Sequence, residues 1–136
     1  MTTMKATYKG GLRVECEHSA SGTVLITDAP VDNKGQGRSF SPTDLLATSL
    51  GACLLTIMGI YADTIGVDIT GAEAEITKTM GAAPRHVAEL DVRVKMPAKG
   101  YSQEEKTKLE RAGLTCPVHN TLKGNVVMNI RFDWGE

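Results

Sequence analysis

Leu12, Val14 and Cys16 alternate with Arg13, Glu15 and Glu17 near the start of the chain. A period of two predicts a strand with one sheltered face. Ala20-Ser21-Gly22 is a turn signal, and the β-branched run Thr23 to Thr27 predicts a second strand. Asp28 to Arg38, with Pro30, Asn33, Gly35 and Gly37, reads as a mobile loop. Ser41-Pro42-Thr43-Asp44 is a helix start. Ser41 can cap, Pro42 loses nothing by lacking an N–H there, and Asp44 stands three residues after the cap. The helix is expected to run to Asp63 or Thr64, with Gly66 ending it. No charged residue occurs from Leu45 to Ala62, so this helix is apolar nearly all round. Such a helix is buried on all sides. In so small a chain its far face needs a second subunit, which predicts a homodimer.

A hairpin follows. Ala72, Ala74 and Ile76 alternate with Glu73, Glu75 and Thr77; the chain turns between Gly81 and Pro84; Leu90, Val92, Val94 and Met96 then alternate with Asp91, Arg93 and Lys95. Ser102-Gln103-Glu104-Glu105 is a capping box for a polar, solvent-facing helix that Gly113 breaks. A short helix, Pro117 to Lys123, lies between Cys116 and Gly124. Val126, Met128, Ile130, Phe132 and Trp134 form a last alternating strand. Strands, buried helix, hairpin, surface helix, strand is an α+β order with antiparallel sheet rather than repeated βαβ units. No repeat or linker divides residues 1–136, so a single domain is expected.

The bulk numbers narrow the function. A net charge of −1 and the lack of any basic tract argue against nucleic acid or an anionic membrane as a partner. The Leu45–Ala62 stretch approaches membrane-spanning length, but Thr48, Ser49, Gly51, Thr56 and Gly59 dilute it, which favours a core helix. Met1 to Gly11 has no apolar signal region, so a cytoplasmic protein is expected. Three cysteines make no complete disulfide framework, and in a reducing compartment thiols are buried, metal-bound or catalytic.

Cys53 lies midway along the apolar helix, where a cysteine can serve as a small hydrophobe. Cys116 precedes Pro117 at a helix start, where free N–H groups and the helix dipole favour a thiolate. His119, about one turn on, could exchange a proton with it. Cys16 shares parity with Leu12 and Val14 and reads as core. A rival constellation is Cys16 and His18 with Cys116 and His119, two sulfurs and two nitrogens suited to tetrahedral zinc. Arg13 on the first strand and Arg38 just before the long helix are the candidate cations; a fixed guanidinium favours both a thiolate and a peroxide oxygen.

Two stretches carry a resemblance. Ser41-Pro42-Thr43-Asp44-Leu45-Leu46-Ala47 with Gly51-Ala52-Cys53 resembles the helix that bears the peroxide-reacting cysteine of the OsmC/Ohr family. Thr115-Cys116-Pro117-Val118-His119-Asn120-Thr121-Leu122 resembles that family's second cysteine motif. The resemblance covers nearly the whole chain and implies an intertwined α+β homodimer, with antiparallel sheets wrapped around long central helices. It implies a thiol peroxidase for organic hydroperoxides: Cys53 attacks and becomes a sulfenic acid, Cys116 closes a disulfide with it, and a dithiol, of the lipoyl type, restores both. No cofactor and no metal are implied.

The chain departs from the family pattern at one point. Many members carry a glutamate directly after the proline of the helix start, where it orients the active-site arginine; here Thr43 stands there and Asp44 follows. One helical position is a rotation of about 100°, so Asp44 is no simple replacement. Arg13 and Arg38 match the arginine positions of two different branches, and His119 is a further supporting candidate. A non-catalytic member of the same fold that binds a small ligand or senses oxidants is the alternative.

Overall fold

A computed structural model describes residues 1–135. The chain forms two compact units, Met1–Leu46 and Ala47–Glu136.

The N-terminal unit is a three-stranded antiparallel sheet of β1 (Met4–Gly10), β2 (Arg13–His18) and β3 (Val24–Asp28), in that order. Cys16 stands opposite Ala6 on β1 and Leu25 on β3. Strand β1 precedes the expected first strand, although Met4, Ala6 and Tyr8 alternate with Lys5, Thr7 and Lys9 and carry the same signal. Leu12, expected in a strand, is instead in the turn: its φ of 64° is left-handed, and its N–H donates to the Tyr8 hydroxyl at 3.2 Å. The alternation in β2 does not become burial. Every β2 residue is half-buried and all of β1 is exposed, so Cys16 is not the core residue expected. The loop after β3 is tied rather than loose. It contains a 3-10 turn at Val31–Asn33, and the Gly35 N–H donates to the Pro30 carbonyl at 2.9 Å. The Arg38 N–H donates to Asp28 Oδ2 at 3.0 Å.

Helix α1 (Pro42–Ile65) starts as expected. The Asp44 N–H donates to Ser41 Oγ at 3.1 Å, and the Ser41 N–H donates to Asp44 Oδ2 at 2.9 Å, a reciprocal cap of two otherwise orphaned donors. It ends at Gly66, whose φ of 73° allows a Schellman closure: the Val67 N–H donates to the Ala62 carbonyl at 3.0 Å. The helix is long and apolar enough to cross a membrane, but Leu50, Leu54, Met58 and Ala62 lie in the protein core.

In the C-terminal unit β4 (Glu73–Gly81), β5 (His86–Lys95) and β6 (Val127–Asp133) form a second sheet in that order. The β4–β5 hairpin is antiparallel. The expectation of purely antiparallel sheet fails at β6, which runs parallel to β5 with Val92 opposite Ile130. A parallel pair needs a crossover. Helix α2 (Gln103–Gly113) and helix α3 (Pro117–Leu122) are that connection. Leu50, Leu54, Met58, Leu90, Val92, Val94 and Leu109 are fully buried together.

Two glycines set how closely these elements meet. A Cβ on Gly51 of α1 would lie 2.5 Å from Ile76 Cδ1 and 3.2 Å from Ala74 Cβ, so only a hydrogen lets β4 come this near. A Cβ on Gly113 would lie 3.0 Å from Met58 Cγ. The helix ends at Gly113 as expected, and the same residue is a contact point with α1. Helix α2 is not wholly solvent-facing. Leu109 is buried, Lys106 lies 5.9 Å over the Trp134 ring, and the Trp134 indole N–H donates to Glu110 Oε1 at 2.9 Å. The Ser102–Glu105 capping box is present as read.

Candidate active site

Cys53 is half-buried on α1, two positions after the glycine that seats the helix on β4, and packs against the core. Cys116 reaches the same place from the crossover. A tight link joins α2 to α3, with the Thr115 N–H donating to the Ala112 carbonyl at 3.0 Å and the Cys116 N–H to the Gly113 carbonyl at 3.1 Å. Pro117 occupies the first turn of α3 and Cys116 is its N-cap, so its sulfur accepts the His119 backbone N–H at 3.3 Å. The Cys53 and Cys116 thiols are side-chain neighbours and interact with each other. Both are free thiols.

Burial dominates the electrostatics of this pair. Cys116 is completely shielded from solvent, which pushes its thiol above the ordinary range. The His119 N–H favours the thiolate and works against that push, while the neighbouring Cys53 adds to it. Desolvation outweighs the backbone N–H groups of His119 and Val118 that favour the thiolate, so the net direction is upward, opposite to what the helix N-terminus alone would give. Cys116 is built to remain a protonated thiol. His119 acts through its backbone, and its ring Nδ1 is buried with no hydrogen-bond partner among the described residues.

The other candidates belong to the N-terminal unit. Arg13 stands opposite Asp28 in the β2–β3 register, and its Nε is buried without a hydrogen-bond partner. The Arg38 side chain is exposed and its guanidinium donates to Gln36 Oε1. Asp44 is committed to the cap of α1, and Thr43 Oγ1 lies 3.2 Å from Ser41 Oγ. The zinc constellation is withdrawn. Among the described residues no three His, Cys, Asp or Glu side chains gather to hold a metal, and His18 Nδ1 is engaged with Ser21 Oγ at 2.6 Å.

One feature escaped the sequence reading. An open groove of about 440 Å³ lies between α1 and the α2–α3 crossover, with Ile57, Ile60 and Tyr61 on one side and Lys108, Arg111 and Thr115 on the other. Its signal was present: Ile57, Ile60 and Tyr61 follow Cys53 at four, seven and eight positions, one face of a helix.

The comparisons fit this architecture. The sequence pattern of the family described as OsmC-like protein matches residues 35–131. A crystal structure from Psychrobacter arcticus 273-4, provisionally named an osmotic stress induced and detoxification response protein, is 43% identical. Its TM-score is 0.91, with 97% of this chain and 96% of that one covered. An organic hydroperoxide resistance protein OsmC from Legionella pneumophila shares the fold at 19% identity, TM-score 0.77, covering 98% and 97%. The organic hydroperoxide resistance protein OhrB of Bacillus subtilis does so at 16% identity, TM-score 0.68, covering 98% of each chain. No curated protein matches. With 97% of its length aligned to a relative of 43% identity, and the family pattern spanning both cysteine motifs, the chain belongs to the OsmC-like family.

Proposed function

We propose that this protein is a thiol peroxidase that reduces organic hydroperoxides with Cys53 and Cys116. The observation that carries this reading is the pairing of two free thiols, one on α1 and one at the cap of α3, as side-chain neighbours at the edge of an apolar core. The Cys53 thiolate attacks the terminal peroxide oxygen. The O–O bond breaks, the alkoxide takes a proton and leaves as alcohol, and Cys53 becomes a sulfenic acid. Cys116 gives its sulfur to that sulfenic acid, forming a disulfide with loss of water. A dithiol reductant, of the lipoyl type, returns both cysteines to thiols by exchange and is itself oxidised to a disulfide. Cys116, whose thiol burial pushes up, is the resolving partner: its proton leaves with the sulfenic acid hydroxyl as water when the disulfide forms, and Cys53 is the first nucleophile.

Attack requires a nearby cation to offset desolvation of the thiolate. Arg13 or Arg38 supplies it, and the unpartnered Nε of Arg13 favours Arg13. The working form is a cytoplasmic homodimer in which residues 1–136 act as one OsmC-like domain. The exposed Ile60 and Leu46 on α1 support the dimer.

The test is thiol counting. Reduced protein mixed with cumene hydroperoxide loses two thiols per chain, and Cys53→Ser consumes no peroxide above background. Retention of all thiols, or an unchanged rate in Cys53→Ser, ends this reading. A second reading is an oxidant sensor on the same fold, favoured by the commitment of Asp44 to the helix cap where a glutamate one position earlier would orient an arginine. Repeated turnover with dihydrolipoamide excludes the sensor; a single oxidation without turnover supports it. Light scattering at low micromolar concentration gives twice the chain mass if the dimer is right.

A further inference from the structure

We infer that Asp28 is a positioning residue: its buried carboxylate orients the guanidinium of Arg13. The task of that cation rests on the peroxidase reading, while the pairing itself concerns the N-terminal unit alone.

Asp28 is the last residue of β3 and is 1% exposed, although it carries a carboxylate. A charge taken out of water needs hydrogen bonds and an opposite charge. The hydrogen bonds come from a tied backbone. The Asp28 N–H donates to the Phe40 carbonyl at 3.0 Å, and Asp28 Oδ2 accepts the Arg38 N–H at 3.0 Å. The Ser39 hydroxyl donates to the Ile26 carbonyl at 2.8 Å and keeps the returning segment against β3. The Arg38 bond occupies one carboxylate oxygen, and Oδ1 is the acceptor that remains.

The opposite charge is on the neighbouring strand. Arg13 is the Cα partner of Asp28 in the antiparallel β2–β3 pair. Directly opposed residues project from the same face, with Cβ atoms about 5 Å apart. The Arg13 Nε is buried and has no hydrogen-bond partner among the described residues. A buried guanidinium donor thus stands across the ladder from a buried carboxylate. The structure shows no bond between the two groups; the inferred step is a turn of the Arg13 side chain that makes one. An arginine held by a carboxylate keeps its plane fixed, as a cation aimed at a thiolate or a peroxide oxygen requires. Arg38 is held differently: Asp28 binds its backbone, and its side chain runs out to Gln36.

The test is a double-mutant cycle of Asp28→Asn and Arg13→Gln. Asparagine keeps an acceptor for the Arg38 N–H and removes the charge. In chemical denaturation of the reduced protein the two substitutions are coupled about tenfold in the unfolding equilibrium constant. In thiol loss with cumene hydroperoxide, Asp28→Asn slows the parent about tenfold and leaves the already slower Arg13→Gln unchanged. A purely structural Asp28 would slow both backgrounds alike. That result, unfolding constants that combine without coupling, or a parental rate in Arg13→Gln overturns the inference. Should Asp28→Asn fail to fold, Arg13→Met against Arg13→Lys decides. Methionine leaves the Asp28 charge without a cation and raises the unfolding constant at least about tenfold over lysine, and equal stability of the two overturns the pairing. If the parent loses no thiols while the unfolding constants stay coupled, the peroxidase reading fails and the Asp28–Arg13 pair stands.

Discussion

The two units of this chain use the same alternation of apolar and polar residues to different ends. In the C-terminal unit it becomes burial: Leu90, Val92 and Val94 are sealed on one face of β5 while Arg93 and Lys95 are exposed. In the N-terminal unit Tyr8, Val24, Leu25 and Ile26 remain exposed. Alternation sets which residues share a face, but burial requires something on that face. The C-terminal sheet has α1 and α2 of its own core, and the N-terminal sheet is an unfinished surface. The same division separates the chemistry, because both thiols belong to the C-terminal unit and both candidate arginines to the N-terminal one.

Substitutions in each unit sharpen that contrast. Leu54→Ala removes a fully buried side chain and lowers unfolding free energy by about 2–5 kcal/mol in chemical denaturation. Leu25→Ala, at a residue 44% exposed, stays within about 0.5 kcal/mol at high dilution. If its cost instead grows with protein concentration, a second copy finishes the sheet and the asymmetry is a property of the single chain alone. Gly51→Ala forces Ile76 to move and costs about 1–3 kcal/mol, with the Cys53–Cys116 oxidation rate falling as α1 shifts from β4. Asp44→Ala removes half of the reciprocal cap and costs about 1 kcal/mol, and Asp44→Asn recovers part of it.

The smallest effect is on pH. Cys116 holds its proton more tightly folded than unfolded. The stability it contributes is complete below the ordinary thiol range and is lost as pH rises from there through the raised folded value. Denaturation midpoints of the reduced protein decline on that alkaline side, and Cys116→Ala makes the decline shallower.

Local signals were legible from the residues and long-range ones were not. The cap at Ser41 and Asp44, the stop at Gly66 and the box at Ser102 and Glu105 each depend on neighbours within a turn, and each formed as read. The parallel docking of β6 on β5 depends on where a long crossover returns, which the alternation of Val126 to Trp134 does not encode. The burial of Cys116 was missed for a similar reason. Its helix terminus is local, but the apolar packing that outweighs the terminus comes from other elements. The meeting of Cys53 with Cys116 was implied by the two motifs and by no spacing rule.

The crossover between β5 and β6 gives oxidation a mechanical meaning. Cys116 rides on that connection and Cys53 on the earlier helix, so a bridge between them would close a loop of about 60 residues spanning the β4–β5 hairpin and α2. Tethering that much unfolded chain strengthens the native state by roughly 4 kcal/mol in the loop-entropy picture. Forming and breaking such a bridge would tighten and release the C-terminal unit, making resistance to heat a gauge of how much of the protein is oxidised at that moment.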